Sequence, residues 1–169
     1  MCLNASMKSP SGFTWIELLA VITVIAVLAL IAVPSMSEAT MRKQVKEALS
    51  LADVAKAGVQ AAYALGGALP ADNEAAGVPA PEKIVGAFVK QVKVEQGAIT
   101  LELGNNAHKG LHGKHVTLRP AVVPDELRTP IAWLCHDVDV PKGMEVRGRD
   151  RTDVPPEWLP VECRGPAKR

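Results

Sequence analysis

An apolar run near the N-terminus limits what this chain can fold into more than any other feature. Phe13–Val33 holds 21 residues, and only Thr14, Glu17 and Thr23 are not hydrophobic. As an α-helix rising about 1.5 Å per residue, the run would extend about 31 Å, the thickness of a bilayer's hydrocarbon core. The rest of the 169-residue chain suffices for one modest domain. The sequence therefore excludes a fully soluble cytosolic protein, a polytopic membrane protein and a disordered chain.

Glu17 is the unexpected residue of this run. A lone acid at membrane depth costs at least about 2.5–3.5 kcal/mol, so such residues usually have a function and a partner. One alternative is a signal-anchor helix whose acid lies near the interface. A secretory signal peptide fits less well, because the run exceeds the usual apolar length and no clear A-x-A site follows it. Lys8, the only charge in Met1–Gly12, favours a cytoplasmic N-terminus, with either Met1 or Met7 as the start.

The residues around Glu17 resemble a known signal. The order Gly12-Phe13-Thr14-Trp15-Ile16-Glu17-Leu18-Leu19, followed by an apolar helix ending at Pro34, is similar to the class III signal of type IV prepilins. The resemblance implies that a prepilin peptidase cleaves between Gly12 and Phe13 on the cytoplasmic side and that the new Phe13 amine is N-methylated. It also implies that Glu17 meets the terminal ammonium of a neighbouring subunit. Because Glu17 has no other evident partner in the run, this pairing would remove an uncompensated charge from lipid.

The resemblance also divides the chain. Residues 1–12 would be the leader, 13–34 the hydrophobic helix of the membrane and the filament core, and 35–169 the periplasmic or extracellular head domain. Pro34 removes a hydrogen bond to the carbonyl of Leu30 and crowds that carbonyl, which predicts a helix kink at this point.

After Pro34 the pattern stays helical and becomes amphipathic up to Gly66-Gly67. Phe13–Leu65 is therefore expected to be one interrupted helix, or else an anchor and a separate helix joined at Pro34. A loop follows to about Gly86. Four segments then have strand patterns, and we expect an α+β fold in which the long N-terminal helix packs on a four-stranded antiparallel sheet. The predicted strands are Phe88–Val94, Ile99–Leu103, His115–Arg119 and Ile131–Cys135.

Four landmarks in this second half extend the resemblance to type IVa major pilins. They are Ile99-Thr100, Leu111–Lys114, Trp133–Cys135 and Leu159–Arg164. The resemblance implies a pilin α/β-roll with a C-terminal disulfide loop.

The cysteine count depends on the leader. Its removal would remove Cys2 and leave Cys135 and Cys163, and an even count in an extracytoplasmic domain favours a disulfide. Two free thiols or a redox pair are the alternatives, although the chain has no C-x-x-C motif.

No cofactor, metal site or catalytic site is expected. His108, His112 and His115 lack an acidic or cysteine fourth ligand nearby, and glycines make a shared helical face unlikely. No nucleophile–base order or phosphate-binding loop can be assembled. The 19 basic and 18 acidic residues nearly balance. We interpret the basic clusters Arg147–Arg151 and Arg164–Arg169 as solvated surface rather than a dedicated DNA site.

The resemblance thus implies a structural subunit that polymerises into type IV pili, which in the family serve attachment, twitching and DNA uptake. Its expected partners are copies of itself, the prepilin peptidase, the pilus assembly machinery, and host surfaces or DNA. The subunit would be stored in the bacterial inner membrane and then enter an extracellular pilus. The alternatives are a type II secretion pseudopilin, a minor pilin, or a membrane-tethered periplasmic binding module that retains residues 1–12.

Overall fold

The structure, a computed structural model, describes residues 12–124 and 126–165, without the side chains of residues 31–36. Two compact units are present, Met1–Ser37 and Glu38–Arg169. Most of the predicted leader, residues 1–11, lies outside the described part, as does the tail from residue 166 onward.

One helix dominates the chain. Helix α1 covers Trp15–Gly66, so the predicted bounds Phe13–Leu65 are correct to within two residues. The backbone is helical at position 34, in agreement with one helix rather than two. The side chains around Pro34 lie outside the described part, so the kink predicted there stays a prediction. In the described ranges, no helix combines the length and apolarity needed to cross a membrane.

The sheet is antiparallel throughout its pairings and contains the four predicted strands in the order β1-β2-β3-β4. The prediction ended the third strand at Arg119, just before Pro120, but β3 continues to Val122. Pro120 is tolerated in the strand although it has no N–H to donate. It contributes its carbonyl oxygen instead, which accepts a hydrogen bond from Arg147 N at 2.9 Å. The bounds are β1 Val89–Glu95, β2 Ala98–Leu103, β3 His115–Val122 and β4 Ala132–Cys135.

A fifth strand was not predicted. Strand β5, Glu145–Val146, pairs with Ala121 and Val122 of β3. Two residues are too short for a periodicity to be visible in the sequence, and their pairing depends on the contacts of the cysteine loop.

The β1–β2 connection is a tight two-residue turn. Gln96 and Gly97 both have positive φ, 51° and 78°. This is the backbone of the primed turns that match the twist of a hairpin, and it pairs Glu95 with Ala98. The predicted turn at Gln96-Gly97 is therefore confirmed, and it fixes which residues of β1 and β2 face the helix.

The core of the head lies between α1 and one face of the sheet. Ala52 and Ala55 are fully buried, and their small side chains allow the helix to approach the sheet closely. On the sheet, the alternation of Ile99, Leu101 and Leu103 places all three toward the helix. Seven helix residues form the buried face at three- and four-residue steps: Met41, Val45, Ala48, Ala52, Ala55, Val59 and Tyr63.

The opposite face of the sheet is partly covered by the chain after β5. Arg151 N donates to the hydroxyl of Thr117 at 3.1 Å, and Asp153 N donates to the carbonyl of His115 at 3.1 Å. Thr117 also shares a buried hydrogen bond of 3.1 Å with Thr100. The cysteine loop is thereby fastened to the centre of the sheet.

Candidate functional site

The predicted cleavage site lies in exposed chain just before α1. Gly12 and Phe13 precede the helix, and the Phe13 side chain is 89% exposed. An added Cβ at Gly12 would meet no atom within 4 Å. The backbone around the Gly12–Phe13 bond is therefore unobstructed by the described part of the subunit.

Glu17 is hydrogen-bonded within its own subunit. Thr14 donates to Glu17 Oε2 from both its backbone N and its hydroxyl, each at 3.0 Å, and Glu17 N donates back to Thr14 Oγ1 at 3.3 Å. Thr14 precedes the first helical residue and Glu17 lies three residues later, which is a capping box. The premise that Glu17 has no other partner was wrong. The Thr-x-x-Glu spacing was visible in the sequence and would have predicted this contact.

The capping box still leaves Glu17 able to bind another donor. Both Thr14 bonds end on Oε2, and Oε1 has no hydrogen-bond partner among the described residues. A carboxylate can accept several hydrogen bonds, so a cationic group of another molecule can be accommodated at Oε1.

The helix around Glu17 exposes its apolar residues. Every side chain from residue 12 to residue 30 is exposed, including Trp15 at 75% and Leu30 at 77%. Contiguous exposed apolar surface of this kind marks a site of contact with protein or membrane.

The head half of α1 has its own exposed apolar stripe. Val54 is 51% exposed and Leu65 is 91% exposed, and Ala57 and Ala61 are exposed between them. Their spacing of three to four residues places all four on one side of the helix, which we call the α1 stripe. It lies away from the buried face that packs on the sheet.

The predicted disulfide is confirmed. Cys135, at the end of β4, is bonded to Cys163, 28 residues later in a short 3-10 turn, Val161–Cys163. Both cysteines are buried, with 5% and 1% of their surface exposed. The bridge fastens the C-terminal segment to the edge of the sheet.

The three histidines considered for metal binding have other contacts. His108 Nδ1 accepts from Gly110 N at 3.2 Å, and His112 Nε2 lies 2.8 Å from the Ala107 carbonyl oxygen. His115 Nδ1 lies 3.1 Å from a carboxylate oxygen of Asp153. Among the described residues, no three histidine, cysteine, aspartate or glutamate side chains are grouped so as to hold a metal ion.

The basic cluster of the cysteine loop is largely paired with acids. Arg147 forms an ion pair with Glu145, and Arg151 pairs with Glu95 at 3.0 Å. Arg149 is exposed. This mixed surface agrees with the interpretation of solvated surface rather than a continuous basic patch.

Comparison with known proteins decides what kind of chain this is. Residues 42–164 match the family model described as pilin, a bacterial filament protein. The chain belongs to the pilin family. The match covers helix α1 of the head, the sheet and the disulfide.

Relatives place this pilin among the type IV pilins. It is 33% identical over 162 residues to a type IV major pilin protein PilE1 of Neisseria gonorrhoeae, which covers 92% of this chain and 88% of the relative. A second PilE1 protein of the same organism is 38% identical over 157 residues, covering 90% and 93%. The fimbrial protein EcpC of Eikenella corrodens is 39% identical over 113 residues, covering 64% and 72%. The family is one of structural filament subunits, and the α+β pilin fold is confirmed.

Proposed function

We propose that this pilin is the structural subunit of a type IV pilus, formed by polymerisation of its own copies, and that it catalyses no reaction. The observation that carries the proposal is the exposed apolar segment from Phe13 to Leu30 on a chain of the pilin family. Such a surface needs cover from lipid while the subunit is stored and from other subunits once the filament is formed. Contacts between unlike surfaces of successive copies produce a helical filament.

The proposal includes processing and storage. A prepilin peptidase would cleave after Gly12, the Phe13 amine would be methylated, and the subunit would wait in the inner membrane for the assembly machinery. The new ammonium of one copy would then contact Glu17 of another, where Oε1 is unoccupied by described residues. The extracellular filament would serve attachment and twitching. The proposed contacts with DNA or with host surfaces are supported by the family resemblance alone.

The first experiment measures the mass of the N-terminal peptide of the subunit from sheared surface filaments. We expect a methylated Phe13 as the first residue. Retention of residues 1–12 with no filaments would instead favour a membrane-tethered binding module. Abundance of the chain in the purified filament separates a major subunit from a minor pilin or a pseudopilin.

The second experiment tests Glu17. Glu17→Ala should leave membrane insertion intact and abolish filaments, because the charge partner of the terminal ammonium is lost. Glu74→Ala, at an exposed loop position, is the matched control and should leave filaments unchanged. Normal piliation by Glu17→Ala would refute the assigned role.

A further inference from the structure

A cleft of about 450 Å³ lies on the face of the sheet that points away from α1. Thr100 and Glu102 of β2 line it, because they alternate with residues such as Ile99 that face the helix. The other walls are polar side chains of β1 and of residues 149–151, which follow β5. We call this the outer cleft. Its volume lies in the range of about 300–1,000 Å³ that is usual for small-molecule sites.

The carboxylates of the outer cleft already have hydrogen-bond donors. Three of them line it, those of Glu95, Glu102 and Asp150. Each of their oxygens faces a donor within 3.3 Å. The donors belong to Lys93, Arg151, Lys90, Gln91, Thr152 and His136. The negative charge of the cleft is therefore compensated within the subunit, although each oxygen keeps a further lone pair.

Thr100 places a donor at the floor of the outer cleft. This residue is 7% exposed, and its hydroxyl shares a 3.1 Å hydrogen bond with the buried hydroxyl of Thr117. Thr117 Oγ1 also accepts from Arg151 N at 3.1 Å. Since buried hydroxyls are rarely left unpaired, and Thr100 is the acceptor within reach among the described residues, the Thr117 proton is donated to Thr100. The Thr100 proton is then free for an acceptor in the cleft that it lines.

Cationic donors lie on the rim of the outer cleft. The Arg149 guanidinium is exposed and has no hydrogen-bond or ion-pair partner among the residues that the structure describes. Lys93 and Arg151 both contact Glu95 and keep further N–H groups. The remaining hydrogen-bonding capacity of the cleft is therefore rich in donors. It suits a ligand group that carries negative charge and several acceptor oxygens.

The walls of the outer cleft narrow the class of ligand. No phenylalanine, tyrosine or tryptophan of the described part lines it, so it offers a nucleic-acid base no such ring to stack on. The carboxylates between the basic residues would repel a polyanion, but their second lone pairs can accept from the hydroxyls of a sugar. A bare inorganic anion would leave most of the volume to water. An acidic sugar uses both kinds of group.

We propose that the outer cleft binds an acidic saccharide. Arg149 and the Thr100 hydroxyl hold the carboxylate or sulfate of one sugar unit. Glu95 and Glu102 accept hydrogen bonds from its hydroxyls. The inference goes beyond the proposed function, because the cleft is complete within one subunit. Since the cleft lies on the face of the sheet opposite α1, assembly through the exposed helix would leave it open, and a filament would present many copies of it.

Titration calorimetry of the detergent-solubilised full chain tests the proposal. We expect saturable binding of a chondroitin sulfate tetrasaccharide, at least tenfold tighter than that of chitotetraose, a neutral saccharide of the same length. Equal affinity for the two, or no saturable binding of the acidic one, overturns the proposal. Inorganic sulfate or a four-nucleotide oligothymidylate that binds as tightly overturns the assignment to a sugar. The titrations use unassembled subunits, so a failure to form filaments would refute the proposed function without affecting them.

Variants assign the binding to the outer cleft. Arg149→Gln should weaken binding at least fivefold at an unchanged melting temperature, because its guanidinium has no partner among the described residues. Arg128→Gln, at an exposed position that does not line the cleft, is the control and should bind as the wild type does. Thr100→Val should also weaken binding, whereas Thr100→Ser keeps the hydroxyl and should retain it. Wild-type affinity in either Arg149→Gln or Thr100→Val overturns the proposal.

Discussion

The side-chain oxygen of Asn73 accepts a 2.7 Å hydrogen bond from the backbone N–H of Val94, on the free edge of the sheet. The Asn73 amide nitrogen donates to the carbonyls of Val92, at 3.0 Å, and Pro79, at 2.9 Å. Strand β1 is an edge strand, and Asn73 is only 4% exposed. One amide therefore supplies the hydrogen bonds that a further strand would otherwise make, and it ties the loop after α1 to the sheet.

Replacing Asn73 should destabilise the head. Asn73→Ala leaves the N–H of Val94 and the carbonyl of Val92 unpaired in a buried place, at a cost of about 1–3 kcal/mol for each group left unsatisfied. Urea unfolding measures the change in free energy. Asn106→Ala, at an exposed position, is the control and should be nearly neutral. Equal stability of the two variants would contradict the assigned role of Asn73.

The contrast between Asn73 and the strands shows how far the sequence could predict the fold. The strands were predictable because burial on one face imposes a two-residue period over neighbouring residues. Asn73 contacts Val94 across 21 residues, and its neighbours in sequence resemble any polar loop. Local pattern carries no information on which loop reaches a free edge. The same limit explains why β5 was missed, since its two residues pair with a strand more than 20 residues earlier.

Gly58 lies inside helix α1, and close packing against the loop that follows the helix leaves no room for a side chain at this position. A Cβ there would lie 2.6 Å from the carbonyl oxygen of Ala76 and would collide with the side chain of Val78. Gly58→Ala should therefore lower the melting temperature, although alanine favours an isolated helix by about 1 kcal/mol over glycine. Gly66→Ala is the control, since an added Cβ there meets nothing within 4 Å. A higher melting temperature for Gly58→Ala would show that the loop yields without cost.

The residues of the candidate site likewise divide into those that a local sequence pattern can predict and those that it cannot. The disulfide could be predicted from the even number of cysteines left after the leader, and the Thr-x-x-Glu spacing contains the capping contact of Glu17, whereas the cleavage site stays a prediction. The groove between α1 and β4 could not be predicted, because it joins Leu49 of the helix, Trp133 of β4 and Cys163 of the last turn. Such a surface depends on the packing of the helix on the sheet, which periodicity predicts only in outline.

The Cys135–Cys163 bridge should contribute much of the stability of the head. The chain-entropy description gives about 3–4 kcal/mol for closing a loop of this length. Reduction under partly denaturing conditions, followed by alkylation, should lower the free energy of unfolding by that amount. The Cys135→Ser/Cys163→Ser double variant should match the reduced protein and be insensitive to reductant. Identical unfolding curves with and without reductant would exclude a stabilising bridge.

Glu102 should make the head less stable in acid. A hydrogen bond of 2.8 Å from Lys90 Nζ holds the pKa of the Glu102 carboxyl below its ordinary value of 4.5, against the opposing effect of partial burial. Because the folded pKa is lowered, the stabilisation is present above pH 4.5 and is lost as the pH falls through the folded pKa. The difference in melting temperature between wild type and Glu102→Gln should therefore shrink from pH 7 to pH 3. Glu74→Gln, in an exposed loop, should show no such trend.

The last prediction separates the two roles of Glu17, as a cap of its own helix and as a charge for another copy. Glu17→Gln keeps a side chain that can complete the capping box and removes the negative charge. Thr14→Val keeps the charge but removes the hydroxyl that bonds Glu17 at 3.0 Å, which should fray the first turn at a cost of about 1 kcal/mol. If the charge is what assembly needs, sheared filament yield should fall more than tenfold in Glu17→Gln and only slightly in Thr14→Val. Hydrogen exchange at the first helical turn should change in the opposite order. Filament loss in Thr14→Val with normal yield in Glu17→Gln would assign Glu17 to capping alone, because the charge would then be dispensable.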